Sequence, residues 1–386
     1  MTRLRLLLLY WGRFGGGARY ALDLARALGA HAEVEVHLSF SPQAELAPAM
    51  RALGLPSLEI ATFDGKLSAL AASTRLIQVR AALARYVERH RIDAVLCAMT
   101  HAWTPFVASA LRATGAKVFV AAHDGALHEG ERSFLRQRLI WWELARADGV
   151  IALSEWVRGQ LLARPGLSPE RVRVAPLGGL GVRPSPAPRR HPGTAPFRLL
   201  FFGRILPYKN LGALLEAFRR LRAESPALRL HVAGPGSLAP YAEALRGLDG
   251  LTIANRWIDE PDVEAVVGAA DALVAPYREA SQSAAVAMAS HIGIPSVVTP
   301  VGALPEQVQD GATGVVAGAV DPESLALALR RLVRDADLYH RCAAELHRRA
   351  ALAAIGFAEA YVAVLSELVG QKRSPRERRT GSRAST

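Results

Sequence analysis

Short, predominantly apolar runs alternate with amphipathic helical stretches along this chain, and each run is closed by glycine or a polar turn. LRLLLLY at 4–10, KVFVAA at 117–122 and FRLLFF at 197–202 are such runs, while Leu211, Leu214, Leu215, Phe218 and Leu221 carry helical spacing after the third. A strand that is apolar at every position is buried on both faces, which places helices on both sides of a parallel sheet. The alternation therefore predicts an α/β fold with parallel sheets. At 386 residues the chain exceeds what one hydrophobic core supports, so two domains are expected. The stretch 178–196, GGLGVRPSPAPRRHPGTAP, breaks the periodicity with proline and glycine and reads as the linker. It predicts an N-terminal domain over 1–185 and a C-terminal domain over 186–354. The basic tail 371–386, poor in apolar residues, reads as disordered.

In open parallel sheets ligands collect at the carboxyl ends of the strands, so the loops there carry the chemistry. After 197–202 the loop holds Gly203, Arg204 and Lys209, and the next helix N-terminus adds backbone donors and a partial positive charge. Arg204 offers a planar fork and Lys209 a compact point charge, a pairing suited to a diphosphate. Taken alone, a Gly-Arg turn with a nearby Lys also fits a solvated loop. A second strand–loop–helix, DALVAPYREASQSAAVAMASHIGIPSVVT from 271, sets Glu279, Ser281, Gln282 and Ser283 before an Ala-rich helix, where they offer hydroxyl, amide and backbone donors.

Together these two segments resemble the retaining glycosyltransferases of family 4, also called group 1, which implies the GT-B architecture: two Rossmann-like domains facing a central cleft. The family's GR-x-K-N-type loop, which neutralises the donor diphosphate, is matched at Gly203, Arg204, Lys209 and Asn210. The first glutamate of the family's E-x7-E element corresponds to Glu279, which the resemblance implies contacts the transferred sugar. The second, which holds the nucleotide ribose in the family, falls at Ala287 and is absent. A subset of the family with Ser-Gln-Ser-Gly after the first glutamate, and no second one, is the nearer match.

Further resemblances follow in family order. WGRFGGGARYALDLARAL after the first strand is similar to the glycine loop turned toward the reaction centre, with Gly16 and Gly17 permitting close backbone approach. A tight strand-to-helix turn explains the same glycines. His123, at the end of the 117–122 strand, resembles the family histidine facing the donor sugar; His128, Glu129 and Gly130 follow a turn later. IALSEWVRGQL at 151–161 and HVAGPG at 231–236 extend the match, and the resemblance puts Gly234, Trp257 and Ile258 beside the nucleotide. It also implies that the terminal helix, 355–370, crosses back to brace the first domain.

Cys97 and Cys342 are the only cysteines, each in an apolar segment, so neither a disulfide framework nor a zinc site is expected and a reducing cytosol fits. Asp335 and Asp337 are spaced as an Asp-x-Asp pair but stand outside the ligand loops, before the terminal helical stretch; no metal or other cofactor is expected, with Arg204 and Lys209 standing in for a cation. The apolar run at 6–9 is explained as a strand rather than a signal or membrane segment. Residues 1–190 carry 25 Lys and Arg against 15 Asp and Glu, residues 191–370 carry 16 against 19, and the tail carries 6 against 1. A basic first domain suits a carbohydrate or lipid-linked acceptor at an anionic membrane, with peripheral contact on its cytoplasmic face. No helix-turn-helix, zinc-finger or RNA-binding signature accompanies the charge, so no nucleic-acid partner is expected. The helix RSFLRQRLIWWELAR at 132–146 fits either a membrane-resting element or a sheet-covering helix with solvated arginines.

The expected reaction is transfer of a sugar from a GDP- or UDP-linked donor to a hydroxyl with retention. Arg204 and Lys209 stabilise the departing phosphate, while Glu279, Gln282 and His123 fix the donor's pose. Three other classes stay open. They are a degenerate nucleotide-sugar-binding protein, suggested by Ala287; a nucleotide-sugar epimerase of the same architecture; and a nicotinamide-dependent oxidoreductase, for which the first glycine loop has the wrong spacing.

Overall fold

The structure is a computed structural model that describes residues 3–63, 74–126 and 133–371. His128, Glu129 and Gly130 of the sequence reading, and all but the first residue of the tail, lie outside the described residues. Two parallel sheets follow one another along the chain. The first contains β1 (Leu4–Tyr10), β2 (Val34–Phe40), β3 (Ser57–Glu59), β4 (Ala94–Cys97), β5 (Lys117–Ala122), β6 (Gly149–Ala152) and β7 (Val172–Val174), in the order β3-β2-β1-β4-β5-β6-β7. The second contains β8 (Arg198–Phe202), β9 (Arg229–Ala233), β10 (Leu251–Ala254), β11 (Ala272–Ala275), β12 (Ser296–Val298) and β13 (Gly314–Val316), in the order β10-β9-β8-β11-β12-β13. Both are doubly wound, Rossmann-like sheets whose order reverses beside the first strand, between β1 and β4 and between β8 and β11.

Strand β1 shows why the apolar runs become buried strands. Leu6, Leu8 and Tyr10 point into one core and Leu7, Leu9 and Trp11 into the core on the other face, and all six are buried. The first of these cores runs on without a break into the second domain. The helix Ala336–Gly370 provides part of that continuity: its two segments, Ala336–Ala353 and Gly356–Gly370, meet at a bend of 50°. The first lies on the second domain, where the Tyr339 hydroxyl donates to the Asp271 carbonyl at 3.1 Å. The second lies on the first domain, where Lys117 donates to the Leu368 carbonyl at 3.1 Å and Arg173 pairs with Glu367. At its centre the Tyr361 hydroxyl donates to the Pro176 carbonyl at 3.1 Å and accepts from the buried Tyr20 hydroxyl at 2.7 Å.

The helix Phe134–Arg146 covers the first sheet through Glu143 and Leu144, while Phe134 and Leu135 are 79 % and 68 % exposed at its first turn. Among the described residues no single helix is long and apolar enough to cross a membrane.

Candidate functional site

Both sheets direct the carboxyl ends of their strands at one cleft, which holds a cavity of about 300 Å³. Its second-domain wall comes from the loops after β8, β9 and β11, which flank the point where strand order reverses. Strand β8 ends at Gly203, with φ 110°, and β9 ends at Gly234, with φ 140°. These two glycines touch: a Cβ at Gly234 would stand 2.2 Å from the Gly203 carbonyl oxygen. Past the strands, Ile205 N–H donates to the Pro235 carbonyl at 2.8 Å and Arg278 N–H to the Tyr208 carbonyl at 2.7 Å, so backbone bonds tie the three loops together. Gly203, Arg204, Lys209, Gly234 and Ile258 all line the cavity. The Lys209 ammonium lies 5.1 Å from the centre of the Tyr277 ring, a cation–π contact that aims it from the turn Pro207–Lys209.

Asn210 is placed differently from the sequence expectation. It is buried with φ 55°, just ahead of the helix Leu211–Glu224, and its amide donates to the Val320 carbonyl at 3.1 Å. Its role here is to turn the chain into the helix, and it is not part of the cavity wall.

The loop after β11 divides its donors between scaffold and cavity. Ser283 caps the helix Ala284–Ile292 through its hydroxyl, and its own N–H donates to Gln307 Oε1 at 2.7 Å, so both groups are occupied within the protein. Ser283, Ala284 and Ala285 all line the cavity, and the Ala284 and Ala285 N–H groups, in the first turn of the helix, have no intrahelical acceptor. Ser281 is buried and accepts through its carbonyl from the Ser154 hydroxyl at 3.0 Å. Gln282 lines the cavity, its amide nitrogen 3.5 Å from His123 Nδ1, and its Oε1 is buried with no protein partner. Glu279, half-buried in the same loop, is not among the cavity-lining residues. The helix presents Ala284, Ala285 and Met288 to the cavity and turns Ala287 away, into a separate cavity of about 580 Å³ beside Ser290 and His291.

The first domain supplies the opposite wall. Gly15, with φ 82°, begins the turn into the helix Gly16–Gly29, and Gly16 approaches so closely that a Cβ there would stand 3.3 Å from the Ala284 Cβ of the other domain. Gly17 packs against Met99, whose sulfur would be 2.5 Å from an added Cβ. His123 lies behind this loop, and its Nε2 is 2.9 Å from the Ala98 carbonyl. A carbonyl only accepts, so the proton is on Nε2 and Nδ1 accepts from Gln282. Burial lowers the His123 pKa, with the Ala98 bond opposing, which favours this neutral ring. Tyr20 fixes it edge-on, ring centres 4.9 Å apart.

Asp124, which follows His123 in the sequence match, lines the cavity as well; Arg19, Glu45, Met99, Tyr208 and Tyr277 also line it and were not singled out by the sequence. Trp257 lines it too, donating its indole N–H to Glu45 Oε1 at 2.9 Å across the cleft. Away from the cavity, burial pushes the Glu143 carboxyl up to about 8, and Thr104 donates its hydroxyl to it. Among the described residues no group of three or more His, Cys, Asp and Glu side chains could hold a metal ion.

Two family models divide the chain. Residues 14–178 match the model described as "Glycosyltransferase Family 4", and residues 196–335 match "Glycosyl transferases group 1". A D-inositol 3-phosphate glycosyltransferase of Geodermatophilus obscurus is 36 % identical over 236 residues, 56 % of this chain and 52 % of that protein. The chain therefore spans about half the length of the curated relative it matches. Among solved structures, Anabaena HepE in complex with UDP superposes with a TM-score of 0.70 at 18 % identity, covering 94 % of this chain and 100 % of that one. The sucrose-phosphate synthase of Thermosynechococcus elongatus superposes with a TM-score of 0.68, also at 18 % identity, covering 94 % of this chain and 100 % of that one. At such identities the superpositions speak to the fold alone.

Proposed function

Because the chain belongs to the glycosyltransferases of family 4, group 1, and has the GT-B fold, we propose that it moves a sugar from a UDP- or GDP-linked donor to a hydroxyl acceptor with retention. One observation carries this reading: Arg204, Lys209 and the first turn of the helix Ala284–Ile292 converge on a single cavity at the strand-order reversal. Two side-chain cations and a helix N-terminus suit a diphosphate, and they gain most as charge develops on the departing phosphate. No metal is required in this reading, since Arg204 and Lys209 supply the positive charge. The buried Gln282 Oε1 accepts from a sugar hydroxyl, while its amide stays on neutral His123. Glu279 reaches the sugar from the edge of the cavity. Trp257 and Ile258 border the base and Gly234 the phosphates.

HepE has been solved with UDP and with UDP-glucose, which supports a uridine donor among the two. The acceptor is a carbohydrate or a lipid-linked glycan, and the basic first domain holds the protein peripherally on the cytoplasmic face of an anionic membrane.

Calorimetry with UDP, GDP, ADP and their sugar conjugates tests this on the parent chain, Arg204→Ala and Glu279→Ala, with EDTA present throughout. The expected outcome is binding of one nucleotide that weakens in Arg204→Ala, with sugar discrimination lost in Glu279→Ala. Equal binding by Arg204→Ala overturns the placement of the donor site, and binding that disappears in EDTA overturns the metal-free reading. Product analysis then separates transfer from epimerisation, which needs no acceptor, and from binding without turnover.

A further inference from the structure

Side chains and backbone of the two domains meet at both sides of the cleft. The linker leaves the first domain after β7, at one edge of its sheet. Near it, Ser154 donates to the Ser281 carbonyl, and Glu306 accepts from the Glu155 and Trp156 N–H groups at 2.8 and 2.7 Å. On the far side, beyond β1 and β2, a second set of contacts joins the loops after β2 and β10. Trp257 donates to Glu45, the Phe14 and Trp257 rings meet edge to face at 6.0 Å, and Arg19 is ion-paired with Glu260.

The Arg19–Glu260 pair bridges the two domains. The Arg19 side chain is only 10 % exposed, and it also donates to the Leu180 carbonyl at 3.4 Å. Arg19 and Glu45 come from one domain, Glu260 and Trp257 from the other. Burial pushes the Glu260 carboxyl up and Glu45 adds to the rise, while Arg19 opposes both. Closing the cleft thus brings two carboxylates together around one guanidinium, and opening it takes Glu260 away from a largely buried cation. A half-buried pair divided in this way favours closed or open over anything between. Arg19, Glu45 and Trp257 line the donor cavity, and Glu260 follows Ile258 by two residues.

We propose that Arg19, Glu45, Trp257 and Glu260 form a clasp that holds the two domains closed over the cavity, so that a ligand seated against Trp257 and Ile258 and the closed cleft stabilise each other. These are positioning residues: they set the distance between the domain walls rather than touch the reacting atoms. The proposal uses the nucleotide-sugar reading only to choose UDP and GDP as probes.

The test is a charge swap on the full chain. Arg19→Glu leaves three carboxylates together and Glu260→Arg leaves two guanidiniums on one carboxylate, whereas the double variant again sets one guanidinium between two carboxylates. Small-angle scattering is recorded with and without UDP or GDP, and nucleotide affinity is measured by calorimetry. Each single reversal is expected to enlarge the radius of gyration and weaken the bound nucleotide at least about tenfold, and the double variant to recover most of both. Single variants as compact as the parent, or a double variant no better than the worse single, overturn the clasp. If the singles fail to fold, recovery of a folded, compact double variant supports it and failure to recover overturns it. If neither nucleotide binds the parent, a scattering difference between singles and double still upholds the clasp while the donor reading falls.

Discussion

Replacing Gly234 by alanine tests how tightly the donor loops are fixed. With φ 140°, Gly234 holds a conformation that an L side chain rarely adopts, a strain of about 1–3 kcal/mol. Its new Cβ would also stand 2.2 Å from the Gly203 carbonyl oxygen and 2.6 Å from the carbonyl carbon. Relief requires these backbones to part by about 1 Å, a displacement that costs about a hundredfold when it moves groups out of productive geometry. Two other glycines separate the contributions. Gly181, with φ 79° and nothing within 4 Å of an added Cβ, carries the conformational strain alone. Gly203, with φ 110°, would set its Cβ 2.8 Å from Lys209 Nζ, the free end of a flexible chain that swings aside. Thermal unfolding should therefore rank the alanine variants 181, 203 and 234 from least to most harmful. At roughly 2–4 °C per kcal/mol for a domain of this size, Gly234→Ala should lower the Tm by several degrees. Nucleotide calorimetry should show Gly181→Ala like the parent, Gly203→Ala weaker, and Gly234→Ala weaker by about two orders of magnitude. A Gly234→Ala chain that unfolds and binds like Gly181→Ala would refute the claim that the contact between these glycines sets the cation positions.

Two further outcomes follow from buried polar groups. Tyr361→Phe strands both the Pro176 carbonyl and the Tyr20 hydroxyl and should cost about 1–3 kcal/mol; Tyr20→Phe, which leaves the Tyr361–Pro176 bond intact, should cost less in the same melt, and the reverse order would show that the hydroxyl chain runs the other way. Glu143, raised by burial to about 8 from 4.5, binds its proton more tightly folded than unfolded, so its contribution is fully present below about pH 4.5 and is lost as pH rises through about 8. Glu143→Gln should flatten the fall of Tm with pH across that window relative to the parent, and parallel curves would show that the carboxyl is not buried as described.

Strands were the most legible part of the sequence, because a strand buried on both faces has to be apolar at each position. The 4–10 and 117–122 runs coincide with β1 and β5, and the 197–202 run begins one residue before β8. The loop at Gly203, Arg204 and Lys209 was readable for a related reason: its chemistry is local and its place at a strand end follows from the sheet. Asn210 was not, since its amide partner, Val320, is supplied by tertiary packing 110 residues away. Ala287 shows a finer limit. Helical residues are rotated by about 100° from one to the next, so which of 284–288 faced the donor cavity depended on how that helix sits on its sheet. Arg19 and Glu45 were invisible because their partners, Glu260 and Trp257, belong to another domain, and no spacing in the chain encodes that meeting.

The bent helix Ala336–Gly370 also constrains the order in which the molecule is made. Tyr361 completes the hydroxyl chain that starts at Tyr20, 341 residues earlier. At a synthesis rate of about 5–20 residues per second, the ribosome adds the second aromatic partner about 20–70 s after the first. Until then the face of the helix Gly16–Gly29 that receives it is open, although every strand of the first sheet has already emerged. The first domain is thus finished last, and during that interval its uncovered surface is available to chaperones.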